Sequence, residues 1–313
     1  MTEARQPDTA AGRAGPVAGP ARRGTLKRPW VGFVFVLPML VLFLLFRFLP
    51  AIGAFFLSLT DYRISGKWDF IALDNYTRLL SDKVFHEALL VTITYTVIFV
   101  PLTVLLSLGT AVLLHQVVWR RGFFRGVFFL PYVTSIVLAA VIWKWIYDAQ
   151  DGLLNGVLGL VSIGPVDFLG QSGSVLPSIA VTSAWKGFGY SMLILLAGLQ
   201  GQDKGILEAA QVDGAGTWRT FTWITLPHLR MYIEIGVLLG SVIILQVFDP
   251  IAILTKGTGG TKTLAYLLYE RAFIGLDVGQ AAAYGVVTVV LTIIVATIAL
   301  KSVFKVFMAG GSR

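Results

Sequence analysis

Cysteine is absent from the 313 residues. That excludes disulfides, thiol nucleophiles and cysteine-ligated metal sites. Charge is scarce: Asp, Glu, Lys and Arg make up 13%, against about 25% in a soluble domain. The three histidines, His86, His115 and His228, are too far apart in sequence for zinc-type spacing. No paired carboxylates and no nucleophile elbow are present. Residues 257–263, GTGGTKT, look like a phosphate loop, but a Walker A motif needs glycine directly before the lysine, and Thr261 stands there. The expectation is a chain with no catalytic residue, no metal and no cofactor of its own.

Hydrophobicity is what the chain has. Apolar residues make up 56% and the mean hydropathy is +0.78. Six runs stand out at about 31–59, 88–114, 123–147, 178–199, 234–254 and 281–303. Each supplies the roughly 20 residues that cross about 30 Å of hydrocarbon. Continuous runs of that length mean helices, because lipid offers the backbone no partners. Pro38 and Pro50 predict a bend in the first. Trp30, Trp68, Trp119, Trp143, Trp145 and Tyr147 sit near run ends, as interfacial aromatics do. Residues 1–29 hold almost nothing large and apolar, and read as a disordered tail. Arg22-Arg23 precede a run too long for an export-signal core.

The charge of +8 could suit nucleic acid, but its placement sets topology instead. Both termini and the even-numbered connections hold fifteen Lys and Arg, the odd-numbered ones seven. Positive-inside logic puts both termini in the cytoplasm. Lys144, between two tryptophans, snorkels to the surface. Arg47 does the same if the outer part of the first helix extends past the lipid.

The chain is organised around residues 208–227, EAAQVDGAGTWRTFTWITLP. Ile206, Leu207 and Ala210 share an apolar stripe. Asp213, Gly214 and Gly216 break that helix. Thr217 is placed to cap a second one, with Trp218 and Phe221 a turn apart. Pro227 bends or restarts the chain. Glu208-Ala209-Ala210, Gly214, Ile224 and Leu226-Pro227, at these spacings, resemble the EAA loop of bacterial ABC importer permeases. The surrounding text resembles the sugar-importer, maltose-type branch over roughly residues 30–306. Supporting pieces are residues 58–62, 74–76, 143–145, 152–155 and 255–260. Where the family opens the loop with Ile-Pro, this chain has Gln202-Asp203 before Lys204-Gly205. Asp203 can still cap the helix. Gly205 costs roughly 1 kcal/mol relative to Ala in a helix interior, so the first turn is less rigid.

The resemblance implies an all-α integral membrane protein of the bacterial cytoplasmic membrane. It implies six transmembrane helices, a transmembrane domain at 30–306, a short tail at 307–313, and the EAA loop between helices 4 and 5. It implies a second homologous permease, two ATPase subunits that bind ATP and Mg, an extracytoplasmic solute-binding protein, surrounding lipid, and no nucleic acid. The coupling set would be Glu208, Ala209, Ala210, Asp213, Gly214, Ile224, Leu226 and Pro227. The cargo would be a sugar or polyol, with glycerol phosphate as the alternative. An ion-coupled secondary carrier would also have spans and buried charges, but no use for an EAA loop.

Substrate-path candidates lie on two helices. Ser183, Gly187 and Tyr190 fall at i, i+4 and i+7 and share a face that Lys186 borders. Gln246 and Asp249 share another, and Pro250 disfavours helical angles at Asp249 and opens the backbone there. Donors, acceptors and an aromatic face suit a hydroxyl-rich solute. The rival reading pairs Lys186 with Asp249 and packs Tyr190.

The orientation is testable in this cysteine-free chain. A single cysteine at Gly216 should react with an impermeant maleimide only from the cytoplasm, and one at Gly173 only from outside. The reverse labelling would overturn the charge argument.

Overall fold

The computed structural model describes residues 29–64, 66, 68–116, 120–170 and 173–310. The expected N-terminal tail, up to residue 28, lies outside the described residues, as does Trp119. Two compact units divide at residues 51 and 52. Among the described residues the structure is helical, with no strand and two isolated bridges, Thr60 to Phe70 and Arg63 to Asp277.

Five helices are long and apolar enough to span a membrane: Phe33–Leu57, Lys83–Gln116, Val175–Gln200, Thr217–Ile244 and Val278–Lys305. A sixth span forms if Arg121–Val133 and Ile136–Ile146, bent by 95°, count as one. They are numbered here in chain order, the bent pair being span 3. Two expectations need correcting. The fifth span is not 234–254: its helix starts at Thr217 and ends at Ile244, and Asp249–Leu254 is a separate short helix. The last helix runs on to Gly310, so residues 307–310 are helix rather than tail.

The prolines explain several irregularities. Pro50 has no amide to give the carbonyl four residues back, and a π-turn, Leu44–Phe48, precedes it. There the Leu49 amide reaches back to the Leu44 carbonyl. Pro227 is preceded the same way by the π-turn Phe221–Thr225, where the Leu226 amide reaches the Phe221 carbonyl. Pro227 therefore neither breaks nor restarts the chain. The extra residue per turn absorbs it. Pro131 lies in the last turn of the first half of span 3, and the helix stops at Val133.

Lipid tails are as apolar as leucine, so packing and hydrogen bonds hold the spans together. Spans 2 and 4 form the central pair. The Tyr95 hydroxyl meets Ser183 Oγ at 2.6 Å, and Ser107 Oγ donates to the Phe188 carbonyl at 3.0 Å. Tyr95, Phe99, Ile179, Ala180, Ala184, Ile244 and Ile251 form the core around the span 5 break. Ala111, Leu114, Met192, Leu196 and Leu229 form another towards the loop after span 4. Two motif pieces clasp each other: Asn75 Nδ2 donates to the Ser58 and Thr60 carbonyls at 2.9 and 2.7 Å, and Ser58 Oγ meets the Tyr76 hydroxyl at 2.6 Å. Asn155 ties its loop by donating to the Val166 carbonyl and accepting from the Val166 amide, both at 2.9 Å. Near it, the Asp148 carboxylate accepts from the amides of Asp151 and then Gln150, which hold its pKa below the usual carboxylate value.

Gly189 sets how closely span 3 approaches span 4, because a Cβ there would collide with the Phe128 carbonyl. Gly189→Ala should cost about 1–3 kcal/mol by overpacking and lower the melting temperature of the purified chain. Gly109 has nothing within 4 Å of its own Cβ position, so Gly109→Ala should be neutral or slightly stabilising. Equal melting temperatures for the two variants would refute this account.

Candidate functional site

The six path candidates come together. Ser183, Lys186, Gly187, Tyr190, Gln246 and Asp249 all line one cavity of about 310 Å³. Two broken helices form much of its wall. Span 3 contributes Tyr132 and Ile136 from either side of its bend, and the span 5 region contributes Ile243, Ile244 and Gln246 through Pro250. The break in span 5 is not at Asp249, as expected, but at Leu245–Phe248. Phe248 leaves the helical region at φ −128°, while Asp249 and Pro250 already begin the next short helix. Proline needs no amide partner in a first turn, so Pro250 starts a helix rather than opening one.

Sequence spacing missed Tyr132, Phe99 and Phe248, which also line the cavity. A signal existed for Tyr132: it follows Pro131 near the middle of an apolar run. Its ring stacks on Tyr190 at 5.1 Å between centroids, 19° from parallel. Lys186 does not pair with Asp249. Its Nζ donates to the Tyr132 carbonyl at 2.9 Å and the Pro131 carbonyl at 3.5 Å. It also lies 5.7 Å from the centre of the Tyr132 ring. Ser183 Oγ is taken by Tyr95, so it offers less to a ligand than its position on the face suggests.

The coupling candidates form a second assembly. Asp203 caps the helix Lys204–Val212, its Oδ1 accepting from the Gly205 amide at 2.8 Å. At the far end the Gly214 amide donates to the Gln211 carbonyl and the Ala215 amide to the Ala210 carbonyl. That is a Schellman motif, and Gly214 supplies its left-handed residue at φ +77°. Gly216 is extended at the cap of the next helix, which Thr217 enters as first residue rather than capping it.

Of the coupling set, Ala210 is buried and turns inward. Glu208, Ala209, Asp213, Gly214 and Pro227 are exposed, and Ile224 and Leu226 are half-buried. Ile206 departs from the expected stripe and is exposed. Trp218 and Trp223 are 76% and 77% exposed, and Val212 is 88% exposed. Phe221 is half-buried, with its ring 5.9 Å from Trp218. An apolar, aromatic surface beside an outward carboxylate has the composition of a protein-docking patch.

The family described as "Binding-protein-dependent transport system inner membrane component" matches residues 85–308. The chain is 32% identical to the trehalose/maltose transport system permease protein MalF of Thermococcus litoralis, over 87% of this chain and 92% of that one. It is 32% identical to the sn-glycerol-3-phosphate transport system permease protein UgpA of Agrobacterium fabrum, over 83% and 90%. A solved bacterial ABC transporter involved in importing the acidic polysaccharide alginate superposes with a TM-score of 0.76 at 26% identity, over 89% of this chain and 96% of that one.

Proposed function

The chain belongs to the binding-protein-dependent transport system inner membrane components, and from that premise we propose how this sugar-importer permease works. It is a multi-pass protein of the cytoplasmic membrane and carries no catalysis itself. Both termini and the 204–227 loop face the cytoplasm, in keeping with the Lys and Arg bias. Two ATPase subunits seat that loop and supply ATP hydrolysis with Mg. A second, homologous permease completes the pathway, and an extracytoplasmic binding protein delivers the sugar.

One observation carries this reading. Span 4, the break that follows span 5 and the short helix beginning at Asp249 hold all six path residues around one cavity. Span 5 rises from the loop without a break, through its π-turn to Ile244. A pull on Trp218 and Trp223 is therefore felt at Leu245–Phe248. Span 4 leaves the cavity wall and ends at Gln200, just before Asp203 caps the coupling helix. ATPase closure moves these ends together, and the breaks in spans 3 and 5 yield where the cavity opens. Gln246 and Asp249 offer hydrogen bonds to sugar hydroxyls, and Tyr190 offers a ring face.

The second reading is a glycerol-phosphate importer. Its support is the Lys186 ammonium on the cavity wall and the similarity to UgpA.

Two experiments bear on the reading. Gly214→Val places a β-branched residue in the left-handed region, at roughly 1–2 kcal/mol of strain. No atom lies within 4 Å of its Cβ position, so the bundle itself is spared. The variant should reach the membrane but lose transport and pull down less ATPase. Normal uptake would sink the coupling role. In the cavity, Tyr190→Ala, Gln246→Ala and Asp249→Asn should each lower transport several-fold, at about 1 kcal/mol per lost contact. Assembly and basal ATP hydrolysis should persist. Three normal transporters, or three complexes that fall apart, would remove these residues from the path.

A further inference from the structure

We infer that the cavity between the two broken spans selects an uncharged or cationic sugar and disfavours sugar acids and sugar phosphates, with Asp249 as the charge that decides. The inference rests on that cavity being the path. Two ionisable side chains of opposite charge line it, Lys186 and Asp249. A count of charges would make the cavity neutral. The two charges are not equally free to meet a ligand.

Lys186 is committed to the protein. An ammonium has three N–H donors and no acceptor. Two of them point at the Tyr132 and Pro131 carbonyls, 2.9 and 3.5 Å away, and the Tyr132 ring lies 5.7 Å from the nitrogen. These carbonyls belong to the last turn of Arg121–Val133, where the 95° bend removes their helical partners. In hydrocarbon such carbonyls must find a donor. The end of that helix also carries about half a negative charge, which the ammonium offsets. The lysine is thus the C-terminal cap of a half-helix. A phosphate or carboxylate that recruited it would leave the Tyr132 carbonyl short of a donor, since the Pro131 carbonyl also accepts from the Thr134 hydroxyl at 2.7 Å.

Asp249 is not committed in this way. Among the described residues no cation lies within 4.0 Å of its carboxylate. Its side chain is exposed on the cavity wall beside Gln246, which is also exposed. The remaining polar groups of the lining, on Ser183, Ser191, Gln246, Thr103 and two tyrosines, are neutral. A neutral sugar can donate hydroxyl hydrogens to this carboxylate, and an amino sugar can pair with it. An anion meets a carboxylate with no ion-pair partner, and the one ammonium that would attract it is already held by the Tyr132 carbonyl.

The chain has no cysteine, so one added thiol, read as the difference from the unsubstituted complex, reports on the cavity. Ser191 lines it, and Ser191→Cys is a near-isosteric probe. The full chain, assembled with its partner permease, ATPase and binding protein in permeabilised membranes, is treated with cationic and anionic methanethiosulfonates. Rates are divided by those for a free thiol. The cationic reagent should react about fivefold faster, and Asp249→Asn should bring the ratio close to one. Lys186→Gln should shift it less than Asp249→Asn does. A faster anionic reagent, or a ratio indifferent to Asp249→Asn, overturns the proposal. The path reading has its own readout in the same sample. If it holds, the adduct at Ser191→Cys abolishes binding-protein-stimulated ATP hydrolysis. If hydrolysis continues, the path reading fails whatever the ratio.

Discussion

A backbone amide or carbonyl inside hydrocarbon has no water to turn to. Everything irregular in this chain has to answer to that constraint. Spans 3 and 5 both break, and both breaks border the 310 Å³ cavity. There the released carbonyls are recaptured by side chains. The Tyr132 carbonyl accepts from Lys186, the Pro131 carbonyl from the Thr134 hydroxyl at 2.7 Å, and the Val247 carbonyl from the Thr263 hydroxyl at 2.9 Å. The same groups that satisfy the breaks shape the site. An element that must be re-satisfied by side chains can also be re-satisfied in a second arrangement, which is what a gate requires.

Pro38 and Pro101 lie inside helices that continue with no π-turn before them; three other prolines differ in how their helices take them. Pro50 and Pro227 stay inside continuous helices because a π-turn one turn earlier moves the amide of the preceding residue back to a carbonyl five away. Pro131 has no such turn and ends its helix. The difference matters mechanically. Span 5 runs unbroken through Phe221–Thr225 from the loop to the cavity, whereas span 3 stops at Val133 and resumes at Ile136.

Rigidity at the loop is built from local chemistry. Asp203 caps one end of its helix and Gly214 closes the other. Ala210 anchors it, while Glu208, Trp218 and Trp223 are left outward. The chain thereby presents a firm exposed patch at one end of spans 4 and 5 and a yielding pair of breaks towards the other. Two charged side chains line the cavity, a lysine held by a half-helix and an aspartate without an ion-pair partner among the described residues.

Much of this was legible in the residues. Apolar run length announced the spans, since only a helix of about 20 residues satisfies itself across the bilayer. Spacing announced the faces: Ser183, Gly187 and Tyr190 do meet Gln246 and Asp249, because helical periodicity fixes which side chains share a side. Gly214 announced its turn, since its φ is one that few other residues adopt. Hydropathy could not locate where the fifth helix begins, because Thr217 to Arg230 is polar enough to read as loop yet continues the same hydrogen-bond ladder. Nor could it tell that Pro227 would be absorbed and Pro131 would not. The partner of Lys186 was equally out of reach. Periodicity places a side chain on a face, but which of two nearby groups it bonds depends on how another span is bent. That bend is set by packing between spans, such as the approach of the Phe128 carbonyl to Gly189, and only the tertiary structure decides it.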